Sequence, residues 1–479
     1  MPKRNLLLLF LTTAICIVAW MARDRTGHSH RFAEVMATID RSYFESVDQR
    51  ELFAASMNGL FAQLDEHSAF ISGGQQKEFE SLLDLQFGGI GLELSVDPQS
   101  HAICVITPVL DSPAWRAGIA AGDFITAIDG RETSGMPFSE VVDRLRGGPG
   151  TAVELQLTTV TGELSSKSQS ALPADGASEI QGQRQETRRT LKVVREVVKI
   201  ESVLGDRRRP DGLWEWLLEG DSEIALIRIT SFGDHTLADL QRAIDDIHLQ
   251  AINSTAGLRG MILDLRGNPG GLLTSAVEVC DLFLENGVIV STRGRAVAAG
   301  NSPPLDVRRA TPGSLLAGIP IVVLIDGMTA SAGEIIAACL QDNGRAKVVG
   351  SRSFGKGTVQ SILPLGDGDG LIKLTTSEYL RPSMANIHRR PDADDASVWG
   401  VSPDRGCEIV PTGQTLEAVA AWRRVRDTVP VLQTPGTLPV EKVAASSATM
   451  LPRNIDPVLS KAMDVLQQHY ASSQNASNQ

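Results

Sequence analysis

Between about residues 223 and 409, apolar runs of strand length alternate with segments of helical period, and this alternation constrains the fold more than any other feature. Residues 225–229, 260–265, 288–292, 320–325, 347–350 and 370–375 read as strands, and 236–250, 272–284 and 332–341 as helices. Parallel strands need long crossovers, which helices supply, so the pattern predicts an α/β core around a largely parallel sheet.

Other segments flank this core. Phe32, Val35, Met36 and Ile39 fall at helical spacing, as do Leu52, Met57, Leu60, Phe61 and Leu64, so residues 30–84 are expected to be helical. His67, at an interruption there, reads as a capping or structural residue. Residues 85–203 form a smaller unit with short strands, glycine turns and one helix at 138–145. Within it, residues 162–187 turn polar and read as a flexible insertion. The core unit then covers 204–410, and a tail from 411 to 479 is helical in patches.

At the N-terminus, Lys3 and Arg4 precede an uncharged, mainly apolar run at residues 5–22. That is an export signal by charge and hydropathy, either cleaved as a signal peptide or kept as a membrane anchor. The body of the protein is therefore expected outside the cytoplasm, periplasmic or membrane-anchored. A net charge of −12 argues against a broad nucleic-acid surface, which needs clustered Lys and Arg. Five widely spaced cysteines include no C-x-x-C pair, so neither zinc nor a disulfide framework is indicated. Cys280 and Cys339 read as small buried residues on helix faces.

Three segments carry candidate chemistry. The apolar run 319–325 leads into Asp326-Gly327-Met328-Thr329-Ala330-Ser331-Ala332-Gly333-Glu334, which puts Ser331 at a helix N-terminus. Unpaired N–H groups and the helix dipole favour a developing negative charge there. Taken alone, the segment fits an ordinary N-cap serine at least as well. In Ser353-Phe354-Gly355-Lys356-Gly357-Thr358-Val359-Gln360, a lysine sits between two glycines. A lysine general base must be neutral, which near pH 7 requires about 4–5 kcal/mol of differential environment. Gln360 is an amide that can orient the amine without re-protonating it. Residues 350–356 also match G-x-x-x-x-G-K, but Gly357 stands where a phosphate loop needs Ser or Thr, and an extended segment follows instead of a helix. Third, Asp264-Leu265-Arg266-Gly267-Asn268-Pro269-Gly270-Gly271 is a strand end turning into a helix; it is either a plain connection or a turn that presents N–H groups to a site. No histidine accompanies Ser331 or Lys356 in a recognisable motif, although triad members can be far apart in sequence.

Taken together, in this order and at this spacing, the three segments resemble the carboxyl-terminal processing peptidases, or tail-specific proteases, over about residues 30–410. The resemblance implies an α/β and α+β multidomain fold: a crotonase-like α/β protease core with an inserted PDZ domain and helical N-terminal and C-terminal segments. It implies a serine endopeptidase with Ser331 as nucleophile, Lys356 as general base and Gln360 holding the lysine. Oxyanion donors would be the N–H of Ala332 and of Gly270 or Gly271. In the PDZ-like unit, Gly89-Ile90-Gly91-Leu92 would bind a peptide's C-terminal carboxylate. The expected partners are proteins or peptides with accessible C-termini, and a second copy of the chain as a homodimer; no cofactor, metal or nucleic acid is expected. Two other readings share parts of this pattern: a non-catalytic PDZ adaptor on a protease-like core, and a crotonase-like acyl-CoA enzyme. The polar insertion departs from a compact PDZ hairpin, and the nucleophile turn carries fewer serines than many members do.

Overall fold

A computed structural model describes residues 12–13, 27–97, 100–161, 185–252, 257–296, 304–366, 370–394, 397–428 and 452–477. The apolar run at 5–22, apart from residues 12–13, lies outside these residues, as do Cys16 and nearly all of the polar insertion. Among the described residues no helix is long and apolar enough to cross a membrane. The chain divides into two compact units, Met1–Gln76 with Gln360–Thr375, and Lys77–Val359 with Thr376–Gln479.

The first unit contains helices Gly27–Ser42 and Gln49–Phe61. Asp48 caps the second by accepting from the Arg50 and Glu51 N–H groups. The expected all-helical stretch is broken by a strand, Ala69–Ser72. It pairs antiparallel with Gly370–Lys373, Ala69 opposite Lys373. Four residues carry too little periodicity to be recognised, and their partners lie about three hundred positions away. His67 donates its N–H to Asp65 Oδ1 at 2.9 Å, within a turn.

In the second unit, residues following Gln86 form an antiparallel sheet in which Leu92–Val96 is an end strand. Its order is Leu92–Val96, Ile103–Pro108, Phe124–Ile128, Ala152–Thr161, Gln185–Val194. Alternate residues point into a core of Ile103, Val105, Ile125, Val153, Leu155 and Leu157, closed by Val141 and Leu145 of helix Phe138–Leu145. A separate ladder pairs Gln86–Gly89 with Glu196–Lys199.

The core sheet has four parallel strands, Asp221–Ile229, Gly260–Asp264, Ile321–Ile325 and Ala346–Gly350, in that order. Gly260–Asp264 and Ile321–Ile325 are buried at every residue, which is why they read as unbroken apolar runs rather than alternating ones. Helices Thr236–Ile252, Leu273–Phe283 and Ala332–Asp342 supply the main apolar cluster of one face. Trp422 and the terminal helix Pro457–Ser477, through Val458, Leu459, Ala462, Met463 and Leu466, supply that of the other. Cys280 and Cys339 are buried in the first cluster, as expected, and Cys104, Cys280, Cys339 and Cys407 are all free thiols. The parallel expectation misses a second, antiparallel sheet, in which Val288–Gly294 pairs with Leu305–Arg309 and with Ser377–Leu380.

Candidate active site

The sheet brings two connections to its carboxyl edge, where helix N-termini and strand ends meet. The first follows Gly260–Asp264 and contains the glycine turn; the second follows Ile321–Ile325 and contains Ser331. Asp326 Oδ1 accepts from the Gly267, Met328 and Thr329 N–H groups, each at 3.0 Å. Thr329 Oγ1 donates to the Leu265 carbonyl at 2.9 Å, and the Ala330 N–H donates to the Asn268 carbonyl at 2.9 Å. Asn268 is fully buried; its amide donates to the Ile229 carbonyl and its oxygen accepts from the Gly270 N–H, both at 2.7 Å. The two turns are thus stitched together before any substrate is present.

Both glycines are required there. A Cβ on Gly270 (φ 103°) would lie 2.7 Å from Ser331 Cβ, and one on Gly271 (φ 146°) 2.0 Å from the Phe232 carbonyl oxygen. Their N–H groups differ. That of Gly270 is committed to Asn268, whereas those of Gly271 and Ala332 have no acceptor among the described residues. Of the two glycines expected as oxyanion donors, Gly270 has its hydrogen engaged inside the turn in this structure.

Ser331 begins helix Ala332–Asp342 with φ 54° and ψ −117°, a backbone region that side chains other than hydrogen rarely tolerate. An ordinary N-cap residue is extended. The sharp strand-to-helix turn is instead the geometry that lifts a nucleophile clear of its neighbours. It is held by Glu334, which is fully buried. Glu334 Oε2 accepts from the N–H groups of Ser331 and Lys356, both at 2.9 Å, so the two main-chain nitrogens lie no farther apart than twice that distance. Oε1 accepts from Ser353 Oγ at 2.6 Å and the Gly355 N–H at 2.7 Å. Burial pushes the Glu334 carboxyl above its ordinary range, and these four donors offset that only in part.

Lys356 follows a loop whose glycines admit close packing, and the strand Thr358–Pro364 begins two residues later, extended as expected. That geometry lacks the helix a phosphate loop requires. Gln360 belongs to the first unit, where its amide donates to Thr375 Oγ1 at 3.1 Å, and Thr375 donates to Asp65 at 2.9 Å. Tyr379, Ser353 and Asn268 were not singled out by sequence. Only Glu334 carried a readable signal, the Ser-x-x-Glu spacing of a capping box.

In the smaller unit, Gly89 ends a strand opposite Glu196. Ile90 is buried, its carbonyl accepts from the Ala114 N–H at 2.8 Å, and the Gly91 carbonyl accepts from Ser112 Oγ at 3.1 Å. Leu92 opens the end strand opposite Pro108. The N–H groups of Ile90 and Gly91 have no acceptor among the described residues.

Two family models match the chain, Peptidase family S41 over residues 223–405 and PDZ domain over residues 105–159. The chain is 37% identical over 359 residues to the carboxy-terminal-processing protease of Bartonella bacilliformis, covering 74% of this chain and 72% of that protein. It is 30% identical over 353 residues to the carboxyl-terminal-processing protease of Picosynechococcus, covering 74% and 71%. Among solved structures, the photosystem II D1 C-terminal processing protease aligns with a TM-score of 0.41 and 27% identity, over 82% of this chain and 92% of that one. With more than a third of the aligned residues identical over about three-quarters of both chains, this chain belongs to the carboxy-terminal processing proteases of peptidase family S41, and it is a serine endopeptidase that joins a PDZ domain to an α/β protease core.

Proposed function

We propose that this endopeptidase cleaves exported proteins by acyl transfer on a Ser331–Lys356 dyad, and that its PDZ domain selects them by their C-termini. The observation that carries the dyad is the single Glu334 oxygen bound to the main-chain N–H groups of both residues. Neutral Lys356 takes the Ser331 proton as Oγ attacks the scissile carbonyl. The oxyanion is received by the Gly271 and Ala332 N–H groups. The lysine ammonium then protonates the departing amine, leaving an ester on Ser331. A water gives its proton to Lys356 and attacks the ester; the ammonium returns that proton to Ser331 Oγ as the serine leaves, which releases the new C-terminal acid and restores the neutral lysine. Gln360 holds the lysine on the family resemblance.

The test is hydrolysis of an unstructured protein by the intact chain. Ser331→Ala and Lys356→Ala each abolish cleavage while far-UV circular dichroism is unchanged; turnover surviving in either variant overturns the dyad.

Selection by the C-terminus is supported by Leu92–Val96 lying at the end of its sheet, where a peptide can add as a further strand, and by the unused Ile90 and Gly91 N–H groups beside it. Peptides with a free α-carboxylate then bind at least tenfold more tightly than their amides, about 1.4 kcal/mol. Equal affinities sink this part alone. Export rests on Lys3, Arg4 and the apolar run behind them, which either is cleaved or anchors the chain. Fusing the first thirty or so residues to a reporter that is active only outside the cytoplasm tests it; a silent fusion overturns it. Self-association through the terminal segments is read by sedimentation, and a monomer at all concentrations excludes the homodimer.

A further inference from the structure

Tyr379 lies in strand Gly370–Leu380, opposite Thr292, and its ring is buried in the main apolar cluster. Its N–H donates to the Gly357 carbonyl at 3.0 Å. Its hydroxyl is within hydrogen-bond reach of two acceptors, the Ser331 carbonyl at 3.2 Å and the Lys356 carbonyl, which is closer. A buried tyrosine needs only one acceptor for its proton. Here the acceptors around the hydroxyl are the carbonyls of the two residues read as nucleophile and base, with the Glu334 carboxylate beside them.

The arrangement complements Glu334. That carboxylate grips the N–H ends of Ser331 and Lys356, and the phenol meets their C=O ends. The main chain of each residue is thereby fixed on both sides of its Cα, and the direction of the side chain follows. The phenol oxygen lies within reach of both carbonyls, and its one proton is directed to one or shared between the two. The Ser331 carbonyl also receives the Ile335 N–H at 3.0 Å, so it stays paired when the phenol turns to Lys356.

We propose that Tyr379 is a positioning residue for the cleavage reaction: its hydroxyl sets the approach of Lys356 to Ser331 by tying their carbonyls to one point. This rests on the Ser331–Lys356 reading above. Burial and the adjacent Glu334 charge raise the Tyr379 phenol well above its ordinary value. It therefore remains a donor throughout the alkaline range in which an amine base becomes active.

The experiment compares Tyr379→Phe with the native chain across pH. Phe fills the same space, so the fold is retained, as melting curves and circular dichroism verify. kcat falls about ten- to a hundredfold, the scale of a sub-ångström to ångström misplacement, while KM stays within about twofold. The limb of the kcat/KM profile that reports deprotonation of the base moves to higher pH, because a loosened amine is better hydrated. A merely structural hydroxyl would lower the melting temperature without moving that limb. An unshifted limb, or native kcat in a folded variant, overturns the proposal. Lys356→Ala is measured alongside. If it is inactive while Tyr379→Phe behaves as native, only the positioning role fails; if it is active, the dyad fails and the positioning role with it.

Discussion

Asp264 and Glu334 are both buried carboxylates at the carboxyl edge of the parallel sheet, three residues or fewer from a residue of the active-site turns, yet they are satisfied by opposite means. Asp264 is met by a cation: Arg266 reaches it through Nε at 2.9 Å and Nη2 at 2.7 Å, and spans to Asp456 at 3.1 and 2.8 Å. Asp456 in turn caps the terminal helix through the Val458 and Leu459 N–H groups. Burial pushes the Asp264 carboxyl up, but the Arg266 charge and its hydrogen bonds outweigh burial and leave it below its ordinary value. Glu334 has no arginine partner among the described residues. It is met instead by three main-chain N–H groups and one serine hydroxyl, and its carboxyl stays above the ordinary value. The lesson is one of geometry. An ion pair between side chains ties elements together and tolerates small shifts, whereas a carboxylate gripping main-chain N–H groups dictates the path of the chain itself.

Breaking Glu334 has the largest expected effect. Glu334→Ala strands several buried donors, which costs about 3–5 kcal/mol of stability in urea unfolding. It also lowers kcat of the remaining folded enzyme by at least about a hundredfold, because Ser331 and Lys356 lose their common anchor. Arg266→Met comes next. It leaves Asp264 and Asp456 buried without their cation, again a loss of about 3–5 kcal/mol, but kcat per folded molecule stays within several-fold of native. Should the arginine variant instead lose turnover as severely as the glutamate variant, the contrast drawn here is wrong.

The two carboxylates also pull stability in opposite directions with pH. The Asp264 contribution is present above its unfolded value near 3.8 and is lost as pH falls through the lower folded value. The Glu334 contribution is present below its unfolded value near 4.5 and is lost as pH rises through the higher folded value. Comparing urea midpoints of Arg266→Met and Glu334→Gln with native from acid to neutral pH therefore flattens the curve on different sides. The smallest effect belongs to a pair whose lysine is exposed, Lys347 with Asp404 at 2.9 Å. Lys347→Ala changes stability by less than about 1 kcal/mol and leaves kcat untouched.

The contrast also explains what could be read in advance. The strand at Ile321–Ile325, the helix after Ser331 and the extended segment after Gly357 were legible because burial on both faces, glycine spacing and periodicity are local signals. The Glu334 spacing was legible as a cap, though not as a bridge to Lys356, since that bridge needs a loop that returns to the helix from twenty-two residues downstream. Tyr379 left no trace. A lone aromatic in a strand is the commonest of core residues, and its role depends on which two carbonyls its hydroxyl meets. Neither did the difference between the Gly270 and Gly271 N–H groups, which comes from a hydrogen bond of 2.7 Å between Gly270 and Asn268. Strand Ala69–Ser72 was hidden because pairing, and not its own sequence, makes it a strand.

The backbone of Ser331, at φ 54° and ψ −117°, has a consequence for how the chain can be improved. Glycine alone is at ease in that conformation, and a serine there gives up about 1–3 kcal/mol. On the proposed role of Ser331 as nucleophile, Ser331→Gly is therefore expected to be inactive and to melt at a higher temperature than the native chain. Any search that rewards robustness without also demanding turnover will drift toward that replacement, so a thermostabilisation campaign on this chain must screen for cleavage from its first round.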